Sequence, residues 1–201
     1  MQSALIAIAA YLLGSVSFAV LVSMLMRLPD PRSYGSGNPG AANVLRSGSR
    51  IAAVLTLAGD AGKGALAVLL ATLVTGVPAT QGFDAPMAGA MAFLGHLYPV
   101  FHGFKGGKGV ATAAGVLLGL DPWLGLGTLA TFAVIVVFFR MISLASIVAA
   151  AFAVFWAWFL FQLNPVTPVV GAMALLLIWR HHENIGRILH GEEPRLGANK
   201  T

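Results

Sequence analysis

Residues 4–26 read A-L-I-A-I-A-A-Y-L-L-G-S-V-S-F-A-V-L-V-S-M-L-M, an uncharged run that ends at Arg27. About 20 predominantly apolar residues cross a hydrocarbon core, so this stretch predicts a first transmembrane helix. A cleaved signal peptide carries positive charge ahead of its apolar run, whereas here the first basic residue follows it. The order predicts an N-terminus outside the membrane, on the periplasmic side, and Arg27 inside.

The rest of the chain agrees with that opening. At 201 residues it is 58% hydrophobic and only 9% charged, with a mean hydropathy of +0.84, which excludes an ordinary soluble domain. The absence of cysteine excludes disulfides and thiolate chemistry. A net charge of +5 carried by so few residues bears on orientation in a bilayer, so membrane lipid is the expected partner and nucleic acid is not.

In chain order, residues 27–50 form the longest polar segment, an inside loop. Residues 51–77 are apolar except for G-D-A-G-K-G at 59–64, where Asp60 and Lys63 can pair at i, i+3. Charges at mid-membrane are costly. The pair is therefore expected near the inner interface, with 51–58 partly interfacial and the second span starting at about 64. Residues 78–86 make an outside loop. The apolar segments 87–101 and 110–120 are short, so they either cross or form a re-entrant pair, with the same sidedness elsewhere. Spans follow at 123–139, 142–161 and 169–179. Gly115 and Gly119 form a small-xxx-small pair for helix packing. The expected fold is all-α: one polytopic transmembrane bundle over 1–201, of about seven spans, with a cytoplasmic C-terminus. This topology puts all twelve Lys and Arg inside and leaves Asp84 and Asp121 outside.

Three polar islands fall on that inner face. The first is G-S-G-N-P-G-A-A-N at 35–43, followed by Arg46 and Arg50. Glycine tolerates positive φ and lets backbone N–H groups approach an anion, and arginine adds a forked charge. Gly35, Gly37 and Gly40 match G-x-G-x-x-G by letter, but no βαβ unit surrounds them, which excludes a dinucleotide fingerprint. The second island is H-G-F-K-G-G-K-G at 102–109, where Lys105 and Lys108 flank glycines ahead of a helix. It is one residue short of a P-loop and lacks Ser or Thr after Lys108, which excludes nucleotide hydrolysis. The third is R-H-H-E-N-I-G-R at 180–187 with Glu192 and Glu193 beyond it. There His181, Asn184 and Arg187 share a face if the preceding helix continues. Ser143 and Ser146, beside Arg140, make a weaker fourth site. Together the islands describe a basic, glycine-lined basin able to hold more than one phosphate.

The stretches G-S-G-N-P-G-A-A-N-V-L-R, K-G-G-K-G-V-A-T and H-H-E-N-I-G-R-I-L-H-G-E-E resemble the three motifs of the bacterial membrane-integral acyl-phosphate:glycerol-3-phosphate acyltransferases. Gly14-Ser15, residues 60–64 and residues 143–146 extend the resemblance over nearly the whole chain. It implies a seven-helix inner-membrane enzyme that moves an acyl group from acyl phosphate to the 1-hydroxyl of glycerol 3-phosphate. The products are lysophosphatidic acid and phosphate, in phospholipid biosynthesis. By motif position it assigns Ser36, Gly37 and Asn38, with Arg46, to a phosphate site. Lys105 binds a substrate phosphate with Lys108 nearby, Ser143 and Ser146 assist, and His181 and Asn184 complete the pocket. Gly40, Asn43, Arg187 and Glu193, in the same motifs, count as substrate-binding, while Ser36, Lys105, His181 and Asn184 are counted as catalytic.

That chemistry suits these residue types. An acyl phosphate is already activated, so aligning two anions and stabilising charge on the carbonyl oxygen and leaving phosphate is the main task. No histidine has an aspartate five residues on, which excludes the H-x-x-x-x-D pair of the other glycerolipid acyltransferase class, and the four aspartates are too scattered for a metal cluster, so neither metal nor cofactor is expected. The hydroxyl proton goes to His181 or to a substrate phosphate oxygen. The competing reading is an anion or organophosphate transporter, which would place ionisable groups at the midplane and show paired broken helices. A monomer suffices for either reading.

Overall fold

The structure, a computed structural model, describes residues 1–197; Lys200, one of the expected inside cations, lies outside the described residues. All regular structure among the described residues is helical. The elements are α1 (Gln2–Gly14), α2 (Phe18–Leu25), α3 (Ala41–Val44), α4 (Arg50–Thr75), α5 (Asp84–Leu97), α6 (Val110–Leu120), α7 (Pro122–Phe139), α8 (Ile142–Phe161), α9 (Val166–Arg180) and α10 (His182–Leu189), with 3-10 turns at Leu45–Ser47 and Val100–His102.

The predicted first span is broken. α1 and α2 bend by 42° across residues 15–17. A break in lipid requires its freed backbone groups to find partners inside the protein, and here they do. The Ser15 hydroxyl donates back to the Tyr11 carbonyl (2.9 Å). The Lys63 ammonium donates to the Val16 carbonyl (2.7 Å), and the Ser17 hydroxyl accepts the Val20 N–H as the cap of α2.

No helix boundary falls near residue 64. α4 is one continuous helix of 26 residues, and Asp60 and Lys63 lie in its middle, each only 2% exposed. They pair at 2.9 Å, with His96 Nδ1 of α5 at 3.4 Å from the same Asp60 oxygen. Charges cannot stand alone in lipid, but a pair enclosed by neighbouring helices meets its requirement without reaching the interface. The pair is buried between the helices rather than exposed at a surface.

Three helices, α4, α7 and α8, are individually long and apolar enough to cross a bilayer, and the bent α1–α2 pair passes the same test when the two are taken together as one span. α6 and α9 are shorter apolar helices. Glycines set the closest crossings. A Cβ on Gly115 would overlap the Ala61 carbonyl, and one on Gly64 would overlap the Thr112 carbonyl, so α4 and α6 meet backbone to backbone. Gly119 also faces α4, against Ala65 and Val68, as the small-xxx-small spacing predicts. Gly14 and Gly95 do the same for α1 and α5, against Ala92 and Tyr11. Around these contacts Phe93, Leu97, Val116, Leu124 and Val170 close one apolar core. Leu73, Val137, Phe138 and Leu175 stay outward and exposed, as lipid-facing side chains do.

Candidate active site

The first island is held by an asparagine. Asn43, buried at the start of α3, donates from Nδ2 to the carbonyls of Pro31 (2.6 Å) and Tyr34 (3.1 Å) and accepts the Ser36 N–H at Oδ1 (3.0 Å). Its side chain thus folds residues 31–36 into a closed turn. Gly35 sits inside the turn at φ +60°, where a Cβ would overlap Asn43 Oδ1 and come within 3.1 Å of Arg46 Cδ. Gly37 also has positive φ, +66°, but a Cβ there would meet nothing nearer than the Arg32 carbonyl at 3.6 Å. Gly37 thus has the positive φ that favours glycine, while Gly35 carries both positive φ and a steric demand. Gly40 has an extended φ of −153° and needs no glycine on backbone grounds. Ser36, Gly37 and Arg46 are exposed on the rim of the turn. Asp30 and Arg32 pair at 2.6 Å, but both are exposed, so the pair is worth at most about 1 kcal/mol.

The second island is gripped from two sides. The Gly106 and Gly107 N–H groups donate to the Leu97 and His96 carbonyls (3.2 and 3.1 Å) at the open C-terminus of α5. Their own carbonyls accept from Arg180 Nη2 (3.1 and 3.2 Å), whose guanidinium lies over the Tyr98 ring. Both glycines are buried, and a Cβ on Gly107 would reach His96 Nε2 and stand 3.1 Å from the Pro39 carbonyl of the first island. The two glycine-rich loops thus touch. Lys105 is exposed at the rim and enters no ion pair among the described residues.

The third island differs from its expected form. The helix does not continue through the tail: α9 ends at Arg180 and α10 begins at His182, so His181 is the joint and Asn184 and Arg187 occupy a separate helix. The short α10 is amphipathic and buries Asn184. Asn184 connects the islands. Its Oδ1 accepts from Lys108 Nζ, and its Nδ2 donates to Glu193 Oε1 (2.6 Å). Glu193 also accepts from Arg187 Nε at Oε2 (2.7 Å). Burial alone would raise the Glu193 carboxyl, but Ser143, Asn184 and Arg187 around it outweigh that and hold it below the usual carboxylate range. The buried Ser143 hydroxyl makes no well-formed hydrogen bond, whereas Ser146 bonds back to the Ile142 carbonyl (2.8 Å). Burial and the nearby Arg187 push the Lys108 ammonium below its usual range.

His181 is 3% exposed and its Nδ1 lies 2.8 Å from the Leu177 carbonyl. Nδ1 must carry the proton in that contact, which in a neutral ring leaves Nε2 as an acceptor. Burial first, then the positive charges of Lys108 and Arg180, lower its pKa from 6.5 to about 4. The ring is therefore neutral near pH 7 without ligand.

Lys108, Ser143, His181, Asn184, Arg187 and Glu193 thus come together around one carboxylate. Ser36, Gly37, Asn38 and Arg46 sit around the adjoining turn, and the Pro39–Gly107 contact joins the two halves. Sequence reading missed Gly35 as the sterically committed glycine, Arg180 as the clamp on Gly106 and Gly107, and His96 as the third member of the Asp60–Lys63 pair. Only the last had a signal, since a charged pair inside an apolar helix calls for a further polar neighbour. Among the described residues no three His, Asp or Glu side chains group as metal ligands.

Fold and site together define a membrane-integral protein with a basic, glycine-lined polar end built to handle anions. The chain belongs to the glycerol-3-phosphate acyltransferase family, whose model matches residues 4–191. It is 57% identical over 194 residues to the glycerol-3-phosphate acyltransferase of Ralstonia nicotianae, covering 96% of this chain and 94% of that one. With the enzyme of the same name from Burkholderia thailandensis it shares 58% identity over 203 residues, covering 100% and 99%. A crystal structure of PlsY, an integral membrane glycerol 3-phosphate acyltransferase, in its glycerol 3-phosphate form aligns with a TM-score of 0.90 at 37% identity, covering 98% of this chain and 96% of that chain. Its lysophosphatidic acid form aligns at 0.89 and 36% identity over the same shares. The chain is accordingly an acyltransferase of phospholipid synthesis and not an anion transporter.

Proposed function

We propose that the enzyme moves a fatty acyl group from acyl phosphate to the 1-hydroxyl of glycerol 3-phosphate, working as a seven-span monomer of the bacterial inner membrane with its site facing the cytoplasm. The observation that carries this reading is the junction at residues 105–109, which touches the 35–43 turn through Pro39 and the tail through Asn184. One basin with two basic halves suits a reaction between two phosphate-bearing molecules. The attacking hydroxyl oxygen bonds to the acyl carbon, the bond from that carbon to the phosphate oxygen breaks, and inorganic phosphate leaves. Ser36, Gly37, Asn38 and Arg46 hold one phosphate, with Gly40 and Asn43 shaping the turn. Lys105 and Lys108 hold the other with Ser143, Ser146, His181, Asn184 and Arg187, while Glu193 orients Asn184 and Arg187 rather than meeting the phosphate, and no step requires a metal or cofactor.

A His181 pKa of about 4 argues against a base that must take a proton from an alcohol. A bound phosphate raises that pKa and turns the ring into a charged donor, so the ring positions substrate and a substrate phosphate oxygen takes the hydroxyl proton. His181→Gln is expected to keep more activity than His181→Ala and to raise KM for glycerol 3-phosphate. Glycerol, which brings no phosphate, should be a very poor acceptor even at saturation. If the Gln and Ala variants instead lose kcat equally, by about 10²-fold to 10⁴-fold, with glycerol 3-phosphate binding unchanged, His181 is the base.

The orientation is tested by labelling. The chain has no cysteine, so single-cysteine variants have no background. Asp84→Cys and Asp121→Cys should react with an impermeant maleimide outside intact cells, and Ser47→Cys should react only after lysis. Labelling of Ser47→Cys from outside would reverse the active face.

A further inference from the structure

Asp60, Lys63 and His96 are buried ionisable groups that the reaction above does not use, and together they link the α1–α2 break to the second glycine-rich loop. Lys63 holds the carbonyl of Val16 in the α1–α2 break. Asp60 faces Lys63 at 2.9 Å and His96 Nδ1 at 3.4 Å. His96 meets the Lys105–Lys108 turn twice: its backbone carbonyl accepts the Gly107 N–H, and its ring presents Nε2 to the Gly107 Cα with no room for a Cβ. Gly107 in turn abuts the Pro39 carbonyl. Ionisable groups enclosed by transmembrane helices are rare and are retained where they act, and a ring fixed by a carboxylate on one nitrogen offers a rigid surface on the other.

We infer that His96, held in place by the Asp60–Lys63 pair, is a positioning residue that sets the height and tilt of the Gly106–Gly107 turn and so aims Lys105 and Lys108 at substrate phosphate. The inference rests on the reading that this turn binds substrate phosphate. A network of this kind transmits position because the ring contacts backbone, which cannot adjust by changing rotamer. Without the ring the turn keeps its clamp from Arg180 but loses its floor, and both lysines shift relative to the 35–43 loop. An error of about 1 Å in such a group costs up to about 10²-fold in rate.

The test uses purified full-length protein in detergent, with glycerol 3-phosphate and an acyl phosphate as substrates. KM, kcat and the unfolding midpoint are measured for His96→Leu, His96→Asn, Gly107→Ala and Lys105→Met. His96→Leu has no group for Asp60 and should raise KM for glycerol 3-phosphate by about tenfold or more while folded protein is recovered. His96→Asn keeps an N–H donor near the Nδ1 position but lacks the ring edge that meets Gly107, so its KM should also rise, and a wild-type KM in this variant would overturn the role of the ring. Gly107→Ala tests the same contact from the loop side, and carries the test if His96→Leu does not fold; its KM should rise comparably. A purely structural role would lower the yield and the midpoint and leave KM in the surviving protein unchanged, and that result overturns the inference. Lys105→Met separates the two readings. If it raises KM while His96→Leu and Gly107→Ala do not, the turn binds phosphate and the positioning role fails. If Lys105→Met leaves KM unchanged, the turn does not bind phosphate and both readings fall.

Discussion

Gly35→Ala is expected to abolish acyl transfer while leaving the bundle folded. Two effects act together at this position. The backbone there has φ +60°, which costs a residue with a Cβ about 1–2 kcal/mol. The Cβ also overlaps Asn43 Oδ1, the atom that accepts the Ser36 N–H. Displacing that side chain leaves a buried amide unpaired, at about 1–3 kcal/mol for each group stranded, and opens the turn on which Ser36 and Arg46 are mounted. The cost falls on a surface loop, so the helices remain packed, and kcat/KM should drop by at least about 10²-fold. Gly37→Ala is the comparison, because it meets positive φ in open space and should lose much less. The measurement is transfer activity normalised to folded protein by size exclusion. Equal losses in the two variants would mean that substrate, rather than Asn43, sets the demand for glycine.

Gly115→Val should prevent the bundle from forming. Its Cβ would sit on the Ala61 carbonyl, a backbone atom that no rotamer change can move, on the face where Gly64 packs against Thr112. Separating α4 from α6 costs more than the about 1–3 kcal/mol of ordinary overpacking and uncovers Asp60 and Lys63. No monodisperse protein is expected from detergent extracts, whereas Gly62→Ala, on the facing helix α4 with open space around it, should behave as wild type. Recovery of a stable Gly115→Val protein would show that the helices can pack in another way.

Much of this fold was legible because lipid imposes simple demands. Residues 123–139 and 142–161 were read within a residue or so of α7 and α8, since long apolar runs between Asp121, Arg140 and Gln162 leave few choices. The break at 15–17 was hidden, because its partner is a lysine 47 positions away, and no local pattern announces a carbonyl that Lys63 will satisfy. The continuity of α4 was missed for the matching reason. Asp60 and Lys63 read as a break in an apolar run, whereas His96 and the helix break enclose them within one continuous helix. At the site, the glycine-rich islands and their basic residues stood out in the sequence, and their contact through Pro39 and Gly107 followed the expected gathering on one face. What each residue does there was less visible. Asn43 and Glu193 were counted with substrate, yet their polar atoms are occupied by the loop and the tail, because a buried amide or carboxylate in this setting must be satisfied before any ligand arrives. The break at His181 depended on where α9 runs out of apolar core, which the spacing of His181, Asn184 and Arg187 alone does not reveal.

The proposed use of the two basic halves of the basin, for an activated acyl phosphate and for glycerol 3-phosphate, is checked by giving the purified enzyme radiolabelled glycerol 3-phosphate with either palmitoyl phosphate or palmitoyl-CoA, in EDTA, and measuring lysophosphatidic acid. Lysophosphatidic acid should form with palmitoyl phosphate, with one inorganic phosphate released per acyl group transferred, and palmitoyl-CoA should give none. Product from palmitoyl-CoA alone, or loss of activity in EDTA, would contradict the account.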